Sequence, residues 1–344
     1  MTDASPTAIP PAVRQLRELA LSAACAAAVR AAARLGVMDE LGDEPATAER
    51  LAEAVNAQPE PLARLLRALS THGIGVELPD GRFAHTDTSR LLREDAPRSL
   101  RYTCLWATEP WTWELWPHLD EAVRTGKSAF ADLFGTEFFD YLHTAEARES
   151  SEVFDKAMTQ SSILSARAIA DVLNVDGAER IVDIAGGQGR VLATLLERHP
   201  ALRGTLFDLP DVVVGADPRL LPGGALADRA ALVGGDCRGE IPVSADVYLL
   251  KNILEWDDES TVRTLRNAAA AARPGARVVV IENLVDGSPE ARFTTAMDLM
   301  LLLNVGGKKH TEDGLRALIQ QAGLRLDAVT PVNSYLHMFE STVV

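Results

Sequence analysis

The sequence predicts an α/β protein in which a Rossmann-like parallel-sheet domain follows an α-helical winged-helix domain. Three observations predict it. From residue 178 onward, apolar runs of strand length alternate with helix-period segments, the pattern of a parallel sheet. The first of those runs ends in a glycine-rich turn, Asp183-Ile184-Ala185-Gly186-Gly187-Gln188-Gly189. Further upstream, two helical segments lead into two short alternating stretches joined by Pro79-Asp80-Gly81, and Asp-Gly is a strong hairpin signal.

The elements follow in order. Residues 1–15 are polar and proline-punctuated and are expected to form a mobile tail. Residues 16–100 form the winged-helix domain. Its first part spaces Leu19, Leu21, Ala24, Val29, Ala32, Leu35 and Leu41 as the buried faces of helices. Helices over 47–56 and 60–72 and the hairpin complete it. Residues 101–170 are expected as a helical connector that contributes to a substrate pocket, and they carry Trp106, Trp111, Trp113 and Trp116. Residues 171–344 make the sheet domain. Its strands are ERIVDI, GTLFD, a segment ending GGD, ADVYLLKN and ARVVVIENL, with helices at 190–199, 258–273 and 311–323 and closing strands within 325–343.

Charge and composition exclude several classes. The 34 basic and 49 acidic residues leave a net charge of −15, without the basic footprint of a duplex binder, so nucleic acid is not an expected partner. No apolar run approaches the ~20 residues of a bilayer span. The opening MTDASPTAIPPAVRQL has neither the basic start nor the apolar stretch of a signal peptide, and a cytoplasmic location is expected. Cys25, Cys104 and Cys237 are odd in number and far apart, which argues against a disulfide framework or a metal site.

The glycine turn points to a nucleotide-type cofactor at the carboxyl edge of the sheet. Gly186, Gly187 and Gly189 allow close backbone approach. The spacing is not G-x-G-x-x-G, because Leu192 stands where the third glycine belongs, and no phosphate-binding loop is present. Asp183 would repel a phosphate but suits a cation. S-adenosylmethionine carries a sulfonium and an ammonium and no phosphate. Asp208, 19 residues beyond Gly189, is placed to accept ribose hydroxyls, with Leu209 directly after it. Asp236, followed by Cys237, offers an acceptor near the adenine amine, and Cys237 is expected as buried filler. Lys251 and Asn252 emerge from the fourth strand near the methionine half of the ligand.

With these motifs in place, the chain resembles the small-molecule O-methyltransferases of bacteria and plants, the hydroxyindole and caffeate methyltransferases and the antibiotic-tailoring enzymes of actinobacteria. VDIAGGQGR, GTLFDLP, GGD, DVYLLKNIL, WDDE and GGKKHTE fall in family order along nearly the whole chain. The resemblance implies an S-adenosylmethionine-dependent enzyme that releases S-adenosylhomocysteine. It also implies a homodimer joined through the winged-helix domain, which in this family does not bind DNA. Trp106, Trp111, Phe154, Met158, Met297, Met300 and Asn304 fall in segments that line the acceptor site of relatives, and they suit a flat aromatic or polyketide-type substrate.

The catalytic positions depart from the family pattern. Relatives write L-H-D-W-x-D-E with the histidine as general base. Here Leu254-Glu255-Trp256-Asp257-Asp258-Glu259 is one residue shorter and has no histidine. Lys309 replaces a family carboxylate, and Glu282 keeps another. Three routes stay open: Glu255 as base, His310 as base, or an acceptor already ionised and held by Lys308 and Lys309. Two further readings stand beside methyl transfer. One is an enzyme that binds the cofactor but runs hydroxylation, decarboxylation or pericyclic chemistry. The other is a winged-helix regulator that senses a metabolite.

Overall fold

The computed structural model describes residues 9–287 and 291–344. Residues 1–8 of the expected tail lie outside the described residues. The tail ends sooner than its composition suggests, because Pro11 opens a helix whose first turn needs no N–H from it. The chain divides into two compact units, Met1–Glu109 and Pro110–Val344, so the expected connector 101–170 is shared between them.

The first unit holds helices α1 (Pro11–Ala20), α2 (Ser22–Leu35), α3 (Val37–Leu41), α4 (Ala48–Ala54) and α5 (Pro59–Ser70), the hairpin β1 (Val76–Glu77) and β2 (Phe83–Ala84), and helices α6 (Asp87–Arg90) and α7 (Arg101–Ala107). Thr47 caps α4 by accepting from the Arg50 N–H. In the hairpin Val76 pairs with Ala84 and Glu77 with Phe83, and Gly81 takes φ +80° in the connecting turn. Ala46 bridges to Phe83 from the other side, which completes a winged helix. Val37, Leu41, Leu51, Leu66, Leu69 and Phe83 form its core. One expectation fails here: Leu19 and Leu21 are 61% and 72% exposed, and α1 buries none of its side chains. Leu19 lies in the last turn of α1 and Leu21 between α1 and α2, and no element of this unit covers them.

The second unit begins with α8 (Pro110–Leu115), α9 (Leu119–Thr125), α10 (Phe130–Phe134), α11 (Phe138–Leu142) and the long α12 (Arg148–Val172). Then come β3 (Arg180–Ile184), α13 (Arg190–Arg198), β4 (Arg203–Asp208), α14 (Pro210–Val213), β5 (Ala230–Gly234), β6 (Val247–Lys251), α15 (Asp258–Ala271), β7 (Arg277–Asn283), α16 (Ala291–Val305), α17 (Glu312–Gln321), β8 (Leu324–Pro331) and β9 (Leu336–Val343). The sheet order is β5-β4-β3-β6-β7-β9-β8. Strands β3 to β7 are parallel, and β9 runs antiparallel between β7 and β8. Inner strands are apolar on both faces, as helix-covered parallel strands must be. The chain builds outward from β3 to β5, then returns to lay β6 on the other flank of β3. That reversal opens a crevice at the carboxyl ends of β3 and β6, where such sheets bind ligands.

Candidate active site

Two non-glycine residues leave these adjacent strands in the left-handed region, Ala185 at φ +49° after β3 and Asn252 at φ +50° after β6. Such backbone is costly for side chains with a Cβ and concentrates at functional sites. Two glycines of the turn after β3 are crowded. A Cβ on Gly186 would lie 2.6 Å from the Asp183 Cγ, and one on Gly189 would lie 2.7 Å from the Leu220 Cδ1. Gly187 has φ +59° with open space beside it, and its N–H donates to Asp208 Oδ2 at 2.7 Å.

Three of the expected acids line this edge. Asp183 is 2% exposed, and its Oδ2 has no hydrogen-bond partner among the described residues. Burial pushes its carboxyl up to about 7, against the pull of Lys251. Lys251 is half-buried, and burial lowers its ammonium while Asp183, Glu282 and Glu255 hold it up. Burial also raises Asp208 to about 6, although it accepts from the Leu209 and Gly187 N–H groups. The Asn252 Oδ1 is a second buried acceptor without a partner among the described residues. Asp236 is paired within its own turn. Its Oδ1 accepts from the Arg238 N–H at 2.9 Å and Nε at 3.1 Å, and its Oδ2 accepts from Nη2 at 2.9 Å. Burial drives the Cys237 thiol up to about 12, so it is no nucleophile.

The catalytic candidates meet in a second cluster. Glu282, at the end of β7, is 2% exposed, and its Oε1 accepts from the Ile253 and Leu254 N–H groups, both at 3.1 Å. Burial raises its carboxyl, opposed chiefly by Lys309. The Lys309 ammonium is ion-paired with Glu255 and lies 3.8 Å from Glu282 Oε2. Burial pulls Lys309 down, but these carboxylates outweigh it and keep its ammonium above the usual range. His310 is 5% exposed, its Nε2 pairs with the Leu254 carbonyl at 2.7 Å, and burial lowers it. Neither lysine matches the expectation of a free anion holder: Lys309 is committed to Glu255, and Lys308 pairs with Asp258 at 2.7 Å.

The pocket candidates separate. Trp106 is buried in the first unit, on α7. In the second unit Trp111 packs on Phe138 at 5.0 Å and Phe130 at 6.1 Å, and Phe154 packs on Phe138 at 5.9 Å, so both belong to an aromatic core. Phe154 and Met158 are half-buried on α12, Met297 is half-buried on α16, and Met300 is buried there. Asn304, 3% exposed, has no partner for its Oδ1 among the described residues.

Residues 116–325 match the O-methyltransferase domain, and residues 17–95 match the O-methyltransferase dimerisation domain. The chain belongs to the O-methyltransferase family. The methyltransferase is 40% identical over 308 residues to a mitomycin biosynthesis 6-O-methyltransferase of Streptomyces lavendulae, covering 89% of this chain and 87% of that one. It is 33% identical, over 87% of its length and 81% of the relative's, to an aclacinomycin 10-hydroxylase, RdmB, of Streptomyces purpurascens. Among solved structures it superposes with a TM-score of 0.78 on NcsB1, an O-methyltransferase of neocarzinostatin biosynthesis in complex with S-adenosylmethionine and 2-hydroxy-5-methyl naphthoic acid, at 33% identity and 93% and 96% coverage. The match to the dimerisation domain covers the winged helix and removes the ground for a regulator.

The residues present fit S-adenosylmethionine. Two buried acceptors without donors, Asp183 Oδ2 and Asn252 Oδ1, suit an ammonium, and Gly187 leaves backbone space open beside Asp208. Sequence reasoning missed four participants. Asp155 on α12 adds its charge to Asp208, and Thr159 donates to the Gln188 side chain at 2.9 Å, tying α12 to the glycine turn. The Lys309–Glu255 and Arg238–Asp236 pairings are the others. The nearness of Arg238 to Asp236 in sequence was the one available signal.

Proposed function

We propose that the chain is a homodimeric methyltransferase that methylates a hydroxyl of an aromatic or polyketide-type secondary metabolite, with Glu255 as the proton acceptor. S-adenosylmethionine, when bound, supplies an electrophilic methyl group. Asp183 and Asn252 would hold its ammonium, and Asp208 its ribose. Glu255 occupies the segment where relatives carry a histidine, and its side chain is 20% exposed while that of its partner Lys309 is 3% exposed. That difference carries the proposal. The ammonium sits behind the carboxylate and aims it outward, and Glu282 fixes the backbone two residues upstream. His310, bonded to the Leu254 carbonyl, braces the same loop and leaves the base position to Glu255. A carboxylate is a weaker base than imidazole, so the acceptor hydroxyl is an acidic one, a phenol conjugated to a carbonyl or quinone. We also place the enzyme in the cytoplasm; among the described residues no helix is long and apolar enough to cross a membrane.

The test is transfer of labelled methyl to a panel of hydroxyaromatic acids and hydroxyquinones. Glu255→Gln is expected to lower kcat about 100-fold or more while leaving S-adenosylhomocysteine binding within about threefold, since general bases contribute roughly 10²–10⁴. A loss of only a few-fold would remove Glu255 from the role. Consumption of an acceptor without label in the product would favour the second reading, a cofactor-binding enzyme of non-methylating chemistry, which the missing histidine and the hydroxylase relative support.

A further inference from the structure

Asp236 stands where an acceptor for the adenine amine was expected, yet its carboxylate is already spoken for. Backbone N, Nε and Nη2 of Arg238 all donate to it, and a carboxylate offers about four lone-pair sites. The same guanidinium lies over the Trp256 ring, with Cζ 5.9 Å from the centroid. Arg238 therefore spans two carboxyl-edge loops, the one after β5 and the one after β6 that also carries Glu255. The backbone beneath it is held in place, because Asn267 Nδ2 on α15 donates to the carbonyls of Cys237 at 2.8 Å and Gly239 at 3.0 Å. A purine at this edge needs a broad side chain to lie on next to Asp236. Cys237 is small and buried instead. The planar group at this place is the guanidinium.

We propose that Arg238 forms the adenine wall of the cofactor site, with Asp236 acting as the holder of Arg238 rather than as the reader of the adenine amine. A guanidinium plane stacks on aromatic faces and keeps its charge at any working pH. Trp256 supports its far side, so the base would close a stack of ring, guanidinium and indole. The consequence is relaxed selectivity at the base: with three donors of Arg238 already on Asp236, an oxo group in place of the amine costs little. The inference rests on the assignment of S-adenosylmethionine as the cofactor and deepens it.

Calorimetry on the full chain tests it, using S-adenosylhomocysteine and S-inosylhomocysteine as probes. The wild-type chain is expected to bind the two within about threefold of each other. Arg238→Ala and Arg238→Lys are each expected to weaken both probes at least tenfold, because lysine keeps the charge but not the plane. Arg238→Phe should recover most of the loss. The thermal midpoint of the ligand-free variants reports folding, and an exposed pair of this kind is expected to leave it nearly unchanged. A 30-fold or greater preference for the adenine probe in the wild type would overturn the proposal, since Asp236 would then be reading the amine. Unchanged or tighter binding by Arg238→Ala would also overturn it. Failure of the wild type to bind either probe would instead remove the cofactor assignment beneath it.

Discussion

Asp183 is a buried carboxylate with one oxygen facing no donor among the described residues, and burial pushes its carboxyl up to about 7. Its ordinary value is near ~3.9. The folded value is the higher one, so the free protein favours the protonated form and loses stability as pH rises from the usual carboxylate range to about 7. A ligand ammonium reverses that preference, because it favours the charged form. Binding must then release a proton below pH 7 and tighten as pH rises. S-adenosylhomocysteine affinity is expected to level off above about 7 and to fall by up to roughly tenfold per pH unit below it. Asp183→Asn should remove most of that slope and leave the weaker one from Asp208, which sits near 6. Calorimetry in buffers of different ionisation enthalpy measures the released proton directly. A flat profile from pH 5.5 to 7.5 in the wild type would mean that no ligand cation meets Asp183.

At the scale of elements, the loop after β6 and the turn 306–310 behave as one clasp. Glu282 holds two backbone N–H groups of the first, His310 its Leu254 carbonyl, and Lys309 its Glu255 side chain. Gly307 closes the contact, since a Cβ there would lie 1.8 Å from the Glu255 carbonyl oxygen. Gly307→Ala therefore cannot be accommodated without moving the loop. It is expected to cost about 1–3 kcal/mol of stability, the usual range for overpacking, and to lower kcat at least tenfold with S-adenosylhomocysteine binding largely kept. Thermal unfolding and steady-state kinetics measure both, and near-normal kcat would show that the clasp does not position the reacting group. This clasp also marks where sequence reasoning stops. The glycine turn, Asp208 and the hairpin were legible because their chemistry is written within a few neighbouring residues. Lys309 and Glu255 are 54 positions apart, and each alone resembles a surface charge. Lys309 lies beyond α16, and its turn returns to the loop after β7, where the Val285 N–H donates to the His310 carbonyl at 3.0 Å, so the sequence carries both residues but not their meeting. The opposite holds in α1, where apolar residues at helical spacing are not buried.

That apolar spacing on α1 bears on the molecule as a whole. Leu16 and Leu19, one turn apart on α1, are 70% and 61% exposed, and the match to the dimerisation domain begins at residue 17. Burying one leucine is worth about 2 kcal/mol, and a two-fold interface buries each side chain twice. The pair is thus large enough to decide whether the chain is a dimer. Leu16→Glu combined with Leu19→Glu is expected to weaken dimerisation at least 100-fold, because the carboxylates would have to be buried against the same apolar surface. The winged-helix core does not include these side chains, so circular dichroism of the variant should match the wild type. Sedimentation velocity across a micromolar dilution series reads the result. A variant that stays as dimeric as the wild type would move the interface away from α1, to another surface of residues 17–95.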